Sequence, residues 1–278
     1  MTYNLGFIGG GNMSSAIVRG ILNAKDAHPA SNIWVSGPNL NNLKHWQDLG
    51  TNVTTKNGDV LLNCDIIFLG VKPNMLDVAI EDCVRTGTGS SKPNVLFVSM
   101  LAGINIEILH MKLKTLTLKY VRVIRIMPNT PMAVGFGSCL YTPDSSIKLQ
   151  ECLVVENLLR SCGICERVPE SLMDTLGCLT ACGPAFMYIV IEALADGAVK
   201  MGVPRAMALR HAAQMVMGSG KVVLDSGKHP GLLKDEVCSA GGSTICGVAA
   251  LENGKIRASF INAIEAASLK TRNLKEQK

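Results

Sequence analysis

The chain has 278 residues, of which 47% are hydrophobic, 18% charged and 4% aromatic, and its formal net charge is +5 at pH 7. That length supports two modest domains with buried cores, and the aliphatic composition suits packed helices on a parallel sheet. The charge is modest and dispersed; its densest stretch, Lys270-Thr271-Arg272, reads as a solvated helix end and argues against a nucleic-acid partner.

Met1-Thr2-Tyr3-Asn4 leads directly into an apolar run, which leaves no room for a secretion signal and makes a cytoplasmic location the default. Apolar runs predict strands over 4–8, 33–36, 65–71, 95–100 and 121–127, with helical patterns at 13–23, 40–49 and 104–112. A shorter strand pair, 138–141 and 164–168, joined by a helix at 147–161, extends the sheet. This α/β alternation predicts an N-terminal Rossmann-like, doubly wound domain over residues 1–171. After Leu172 the strand signal vanishes, so residues 172–278 are expected to form an all-α domain. Gly183-Pro184 is read as opening a long apolar helix that ends at Gly202, Pro204 as starting the next, and Pro230-Gly231 as a break before a last helix pair over 244–274. The 185–199 segment is apolar nearly all round, which predicts an oligomer interface. Glu192 and Asp196 interrupt it, so it falls short of the ~18 apolar residues of a membrane span, and no membrane partner is expected.

Leu5-Gly6-Phe7-Ile8-Gly9-Gly10-Gly11-Asn12-Met13-Ser14 is a strand, a G-x-G-x-x-S turn and a helix start. Gly9 permits the tight turn, Gly11 lets backbone approach a pyrophosphate resting on the helix N-terminus, and Ser14 replaces the third glycine of the fingerprint. The strand ending Ile33-Trp34-Val35-Ser36 carries no acid to repel a 2′-phosphate, and Ser36, Asn39 and Asn57 are candidate donors to it. No arginine stands in that loop; NADPH is the expected cofactor, with NADH open as an alternative. Gly70-Val71-Lys72-Pro73 and Met100-Leu101-Ala102-Gly103 fall at strand ends where such ligands bind, Lys72 offering a positive charge. Of Arg122 and Arg125, one is expected to point outward and the other to brace the Pro128-Asn129-Thr130-Pro131 loop.

In the helical half, the small-residue run Ser239-Ala240-Gly241-Gly242-Ser243-Thr244 ends at a helix start, where converging N–H groups suit a carboxylate. The ten cysteines read as reduced, buried small residues. Cys162-Gly163-Ile164-Cys165 lacks the second pair that zinc requires, and the five histidines form no ligand pattern, so no metal is expected.

The chain resembles the pyrroline-5-carboxylate reductase family along nearly its whole length. Gly6-Phe7-Ile8-Gly9-Gly10-Gly11-Asn12-Met13, Val71-Lys72-Pro73, Arg125-Ile126-Met127-Pro128-Asn129-Thr130-Pro131 and Leu179-Thr180-Ala181-Cys182-Gly183-Pro184-Ala185 are similar to its motifs, as is His229-Pro230 through Thr244. Ala240, Ser243 and Ala181-Cys182 depart from the family pattern while keeping small size. The resemblance implies a reductase that adds hydride from NAD(P)H to a five-membered cyclic imine bearing a carboxylate. Together with the strand-end reading of Ser36, Asn57 and Ala102, it places the cofactor at Ile8, Gly9, Gly10, Gly11, Asn12, Met13, Val71, Lys72 and Pro73. It assigns the substrate carboxylate to Gly242, Ser243 and Thr244, and catalysis to Thr244, Ser239 and Glu170, the last placed near the substrate nitrogen. It also implies a homodimer through interleaved C-terminal helices, and in some members a ring of dimers such as a decamer. Two rivals stay open at this stage: a related reductase of another imine or a β-hydroxyacid, for which Lys200 is the nearest catalytic lysine, and a non-catalytic NADPH sensor.

Overall fold

The computed structural model describes residues 3–87, 95–116 and 120–276; Met1 and Thr2 of the expected leaderless start lie outside them. Its elements run β1 (Leu5–Ile8), α1 (Asn12–Leu22), β2 (Ile33–Ser36), α2 (Lys44–Asp48), β3 (Asn52–Thr54), α3 (Asn57–Asn63), β4 (Ile66–Leu69) and α4 (Leu76–Thr86). They continue with β5 (Leu96–Ser99), α5 (Ile106–Leu113), β6 (Val123–Met127), β7 (Gly137–Pro143), α6 (Leu149–Arg160), β8 (Gly163–Arg167) and α7 (Glu170–Gly177). A π-helical turn, Cys178–Cys182, leads into α8 (Gly183–Lys200), followed by α9 (Arg205–Ser226), α10 (Pro230–Val237), α11 (Ser243–Asn253) and α12 (Ile256–Glu276).

The strands form one sheet in the order β3-β2-β1-β4-β5-β6-β7-β8, parallel except at the β6–β7 pair. The order reverses between β1 and β4, which places the ligand crevice outside their carboxyl ends. Side chains alternate between the two faces as a period of two requires. Leu5, Phe7, Ile66, Phe68, Leu96, Val98, Ile124 and Ile126 join one core, while Ile8, Ile67, Leu69, Val95, Phe97 and Val123 join the other. Both faces are therefore covered, as the near-continuous aliphatic strands predict. At Gly6 a Cβ would stand 2.5 Å from Val60 Cγ1, so the glycine admits α3 against the sheet.

In the helical half α10 opens at Pro230, where the sequence predicts a break, and in the sheet half three elements are absent from the sequence-based expectation. β3 has three residues at a sheet edge, too few to show alternation. The short α3 contains Gly58 and begins on polar residues. α4 did carry a signal: Leu76, Ala79, Ile80 and Cys83 are buried at the i, i+3, i+4, i+7 spacing of a helix face.

The chain packs as two compact units, Met1–Cys182 with Ser268–Lys278, and Gly183–Ala267, whereas the strand signal alone ends at residue 171. α7 stays with the sheet because Met173 is buried among Met127, Leu140 and Val168. The expected helix start at Gly183-Pro184 is also revised. Helix is continuous over Glu170–Lys200, and although that run is long and apolar enough for a membrane span by length and composition, only 11% of its most apolar window is buried within the chain. In the second unit the α8–α9 pair encloses only a small core of Ala195, Ala208 and Ala212 with flanking Ile191, Val199 and Val203. Tyr188, Ile189, Met201, Leu224 and Ile261 are left exposed.

Candidate active site

The crevice begins at Gly9, whose φ of +102° is open to glycine and strained for other residues. A Cβ there would lie 2.7 Å from the Gly70 carbonyl carbon, so β1 and β4 approach too closely for any side chain. Gly9 N donates to Ser36 O at 3.1 Å, Gly70 N donates to Ile8 O at 2.8 Å, and the buried Trp46 donates from Nε1 to Gly10 O at 3.2 Å. Gly11 is the N-cap of α1 and makes no side-chain cap, and the first turn, opened by Asn12 and Met13, holds no acidic residue. The first-turn N–H groups are thus free of a capping oxygen, and a Cβ on Gly11 would meet nothing within 4 Å. Open space in front of an uncapped helix start fits a pyrophosphate. Ser14 is buried and donates to Gly9 O at 2.6 Å, so it fills the third glycine's place while tying the loop.

Beside this turn is a cleft of 510 Å³ lined by Gly9, Ser36, Gly37, Asn57 and Val71 together with the outward face of α4. Ser36 Oγ donates to Asn57 Oδ1 at 2.7 Å, Asn57 Nδ2 donates to Ala79 O at 3.1 Å, and Asn57 N donates to Asp82 Oδ2 at 2.8 Å. These two predicted phosphate donors therefore join β2, α3 and α4 to one another. Asn39 caps the following turn by accepting from Asn41 N at 2.8 Å. Lys72 is exposed ahead of Pro73, and Ala102 is exposed in the turn after β5, where Gly103 takes a φ of +73°.

Arg125 and Arg122 divide differently from expectation. Arg125 is wholly buried and donates from Nη2 to Asp174 Oδ1 at 2.8 Å and from Nη1 to Glu170 Oε1 at 3.4 Å, so it braces α7. Arg122 pairs with Glu151. Glu170 Oε1 also accepts from Ile106 N at 2.9 Å, at the start of α5, so this carboxylate is shared between helix capping and the buried guanidinium. The Pro128–Pro131 loop is braced by Asn129 instead, which accepts from Ser138 N at 2.9 Å and donates to Thr180 O at 3.0 Å. Asn129, Asp174 and Trp46 escaped the sequence reading because each acts on a partner at least 9 residues distant; only the position of Asn129 within a family motif offered a hint.

In the second unit, Gly241 takes a φ of +67°, Gly242 N donates to Ser239 O at 3.1 Å, and Gly242 is the N-cap of α11 with no side-chain cap. A Cβ at Gly242 would collide with Ser239 Oγ at 2.3 Å. Ser239 and Ser243 are exposed, and Thr244 is half-buried in the first turn of α11. The ten cysteines are reduced, seven of them buried; burial pushes Cys83 up to about 12, with the Asp82 charge adding to it. Cys162 is likewise raised by burial, which suits unreactive core thiols.

Residues 170–274 match the pyrroline-5-carboxylate reductase dimerisation family, and residues 4–103 match the family described as NADP oxidoreductase, coenzyme F420-dependent. The chain is 43% identical over 270 residues to pyrroline-5-carboxylate reductase 3 of Danio rerio, covering 97% of this chain and 91% of the relative. It is 37% identical to pyrroline-5-carboxylate reductase 2 of Rattus norvegicus over 273 residues, covering 98% and 83%. Among solved structures, it is similar to Plasmodium falciparum pyrroline carboxylate reductase with NADP bound, with a TM-score of 0.84 at 31% identity and 98% of each chain covered. The Coxiella burnetii pyrroline-5-carboxylate reductase gives a TM-score of 0.83 at 28% identity, with 99% of each chain covered.

Proposed function

The chain belongs to the pyrroline-5-carboxylate reductase family, and we infer from that membership that it reduces L-1-pyrroline-5-carboxylate to L-proline with NAD(P)H, the last step of proline biosynthesis. One structural observation carries the reading at the level of residues. Two helix N-termini, those of α1 and α11, stand uncapped beside glycine turns, each with N–H groups available to an anion.

In this reading residues 1–171 bind the dinucleotide, and residues 172–278 bind substrate and form the oligomer. The amides of Asn12 and Met13 hold the pyrophosphate over Gly9, Gly10 and Gly11. Ile8 and Val71 form apolar walls, Ser36 and Asn57 shape the adenosine end, and Lys72, Pro73 and Ala102 border the nicotinamide end. The bound dihydronicotinamide supplies hydride to the imine carbon. Gly242 and Ser243 hold the substrate carboxylate through backbone N–H groups. The Thr244 hydroxyl hydrogen-bonds the imine nitrogen, orienting the ring and favouring its protonated form, and Ser239 adds a second hydroxyl. Glu170, through the carboxylate oxygen that Arg125 and Ile106 leave free, offsets the positive charge at that nitrogen. A protonated imine is already electrophilic, so correct placement supplies most of the rate.

The dimerisation match over residues 170–274 supports an oligomer, and the exposed apolar side chains of α8 and α9 supply its contact surface. A homodimer that closes further into a ring such as a decamer, in the cytoplasm, with neither nucleic acid nor membrane as partner, completes the proposal. The ten free thiols suit that reducing compartment.

The test is NADPH oxidation by purified protein on addition of pyrroline-5-carboxylate, repeated with NADH, with proline identified as product. Turnover is expected with both cofactors. Folded protein that binds NADPH without turnover would replace this reading with a reductase of a different imine or with the sensor.

A further inference from the structure

We propose that Arg85, on α4, is the residue with which this chain recognises the 2′-phosphate of NADPH. The inference rests on reading the 510 Å³ cleft as the adenosine end of the cofactor site.

That cleft brings Arg85 to the same wall as Ser36, Gly37, Thr55 and Asn57, although Arg85 is about fifty residues from the β2 loop in sequence. Among the described lining residues, Arg85 alone has a cationic side chain. Two of the side chains expected to meet a 2′-phosphate are bonded to other elements. The Ser36 hydroxyl is given to Asn57, and the Asn57 amide nitrogen is given to Ala79 O. The Ser36 hydroxyl has no second proton to offer a phosphate, and Asn57 keeps one amide N–H beyond its bond to Ala79 O.

Arg85 is free of that constraint. Its side chain is 77% exposed and bonds Asp82 Oδ1 through Nη2 at 2.5 Å. One of five guanidinium donors is thereby used, and an exposed i,i+3 pair is weakly held. Asp82 is an anchor more than a competitor, because its other oxygen caps α3 through Asn57 N, the same residue that stands at the cleft wall. The guanidinium is thus tethered within the cleft with most of its N–H groups available, in the planar form that matches phosphate oxygens. The absence of an arginine from the loop after β2 is compensated from a different element.

The experiment measures equilibrium binding of adenosine 2′,5′-bisphosphate and of adenosine 5′-monophosphate to the full chain by calorimetry, for wild type, Arg85→Ala and Arg85→Lys. Pyrroline-5-carboxylate turnover by wild type is assayed in parallel. Because a charged hydrogen bond to phosphate is lost, Arg85→Ala is expected to raise the Kd of the bisphosphate about tenfold or more. The monophosphate is expected to stay within about twofold, and Arg85→Lys to retain part of the preference. The NADPH-to-NADH affinity ratio should fall in step. Equal weakening of both nucleotides, or no change in either, overturns the assignment of Arg85 while wild-type turnover keeps the reductase reading standing. A wild-type chain that binds neither nucleotide overturns the assignment of Arg85, and one that also lacks turnover overturns both readings.

Discussion

Asn129 donates a 3.0 Å hydrogen bond to the carbonyl of Thr180, four residues before Pro184 and therefore the acceptor that Pro184, lacking an N–H, leaves without its helical donor. The π-helical turn at Cys178–Cys182 widens the ladder there, and the asparagine of the sheet-end loop fills the gap. Asn129→Ala removes this bond and the one from Ser138 N. It is expected to cost about 1–3 kcal/mol and to lower Tm by several degrees in thermal unfolding. Asn129→Ala combined with Pro184→Ala, which restores a donor to Thr180, should cost less than Asn129→Ala alone; a larger cost would remove the link between the two residues.

Arg125 holds Asp174 in a site where both side chains are almost wholly buried. Arg125→Met removes the buried guanidinium from beside the Asp174 carboxylate and is expected to destabilise the chain by about 3–5 kcal/mol. Arg125→Met with Asp174→Leu should recover most of that loss, because neither charge remains to be solvated. Urea unfolding of the three proteins decides it, and an unrecovered double variant would show that the pair also does work beyond mutual neutralisation.

Two glycines of the first turn separate folding from cofactor binding. Gly9→Ala meets the backbone of Gly70 and a φ of +102°, so it should lower Tm and cofactor affinity together. At Gly11 an added Cβ meets no protein atom within 4 Å. Gly11→Ala is expected to keep its Tm within about 2 °C while raising the Kd for NADPH at least about tenfold, as the methyl occupies the pyrophosphate's place. Fluorescence titration of the bound nicotinamide reads the affinity directly.

From the role proposed for its hydroxyl at the imine, Thr244→Ala should lower kcat by about tenfold or more while changing the Kd for NADPH by less than about twofold. Thr244→Ser, which keeps the hydroxyl, should restore most of the turnover. Equal losses in kcat and cofactor affinity would remove Thr244 from its role at the substrate nitrogen.

Asp144 receives the Ser146 amide at 3.0 Å and the Ser146 hydroxyl at 3.0 Å, and meets His110 Nε2 at 2.5 Å. Burial alone would raise its carboxyl, but the Ser146 bonds and His110 together hold it below the usual carboxylate value. A carboxyl depressed in the folded state contributes stability that is complete above its ordinary pKa of about 3.9 and is lost as pH falls through the lower folded value. Asp144→Asn should therefore unfold at a lower temperature than wild type at pH 7, with the gap closing as pH falls below the ordinary carboxylate value of about 3.9. A gap constant across that range would mean that charge at Asp144 contributes nothing.

The glycine turn at 9–11 was legible because glycine placement answers to local backbone geometry, and the aliphatic runs of β1, β4, β5 and β6 were legible because a two-sided parallel sheet leaves no polar face. The helix start that follows residues 239–242 was legible for the same local reason, a run of small residues ending in Gly-Gly. The face of α4 was present in the spacing of Leu76, Ala79, Ile80 and Cys83 and went unread, whereas β3 is too short to leave a pattern.

Residue type and spacing by themselves determined the Rossmann-like sheet, its dinucleotide turn and a helical second half, since each depends on contacts within a few residues. Only the tertiary structure decided that Arg125 turns inward to Asp174, that the Ser36 hydroxyl is given to Asn57, and that Arg85 lines the cleft beside the glycine turn from α4. Those pairings join residues 21 to 49 positions apart, or place a distant helix at the cleft wall. Their partners are chosen by how the helices pack on the sheet, which no local periodicity encodes.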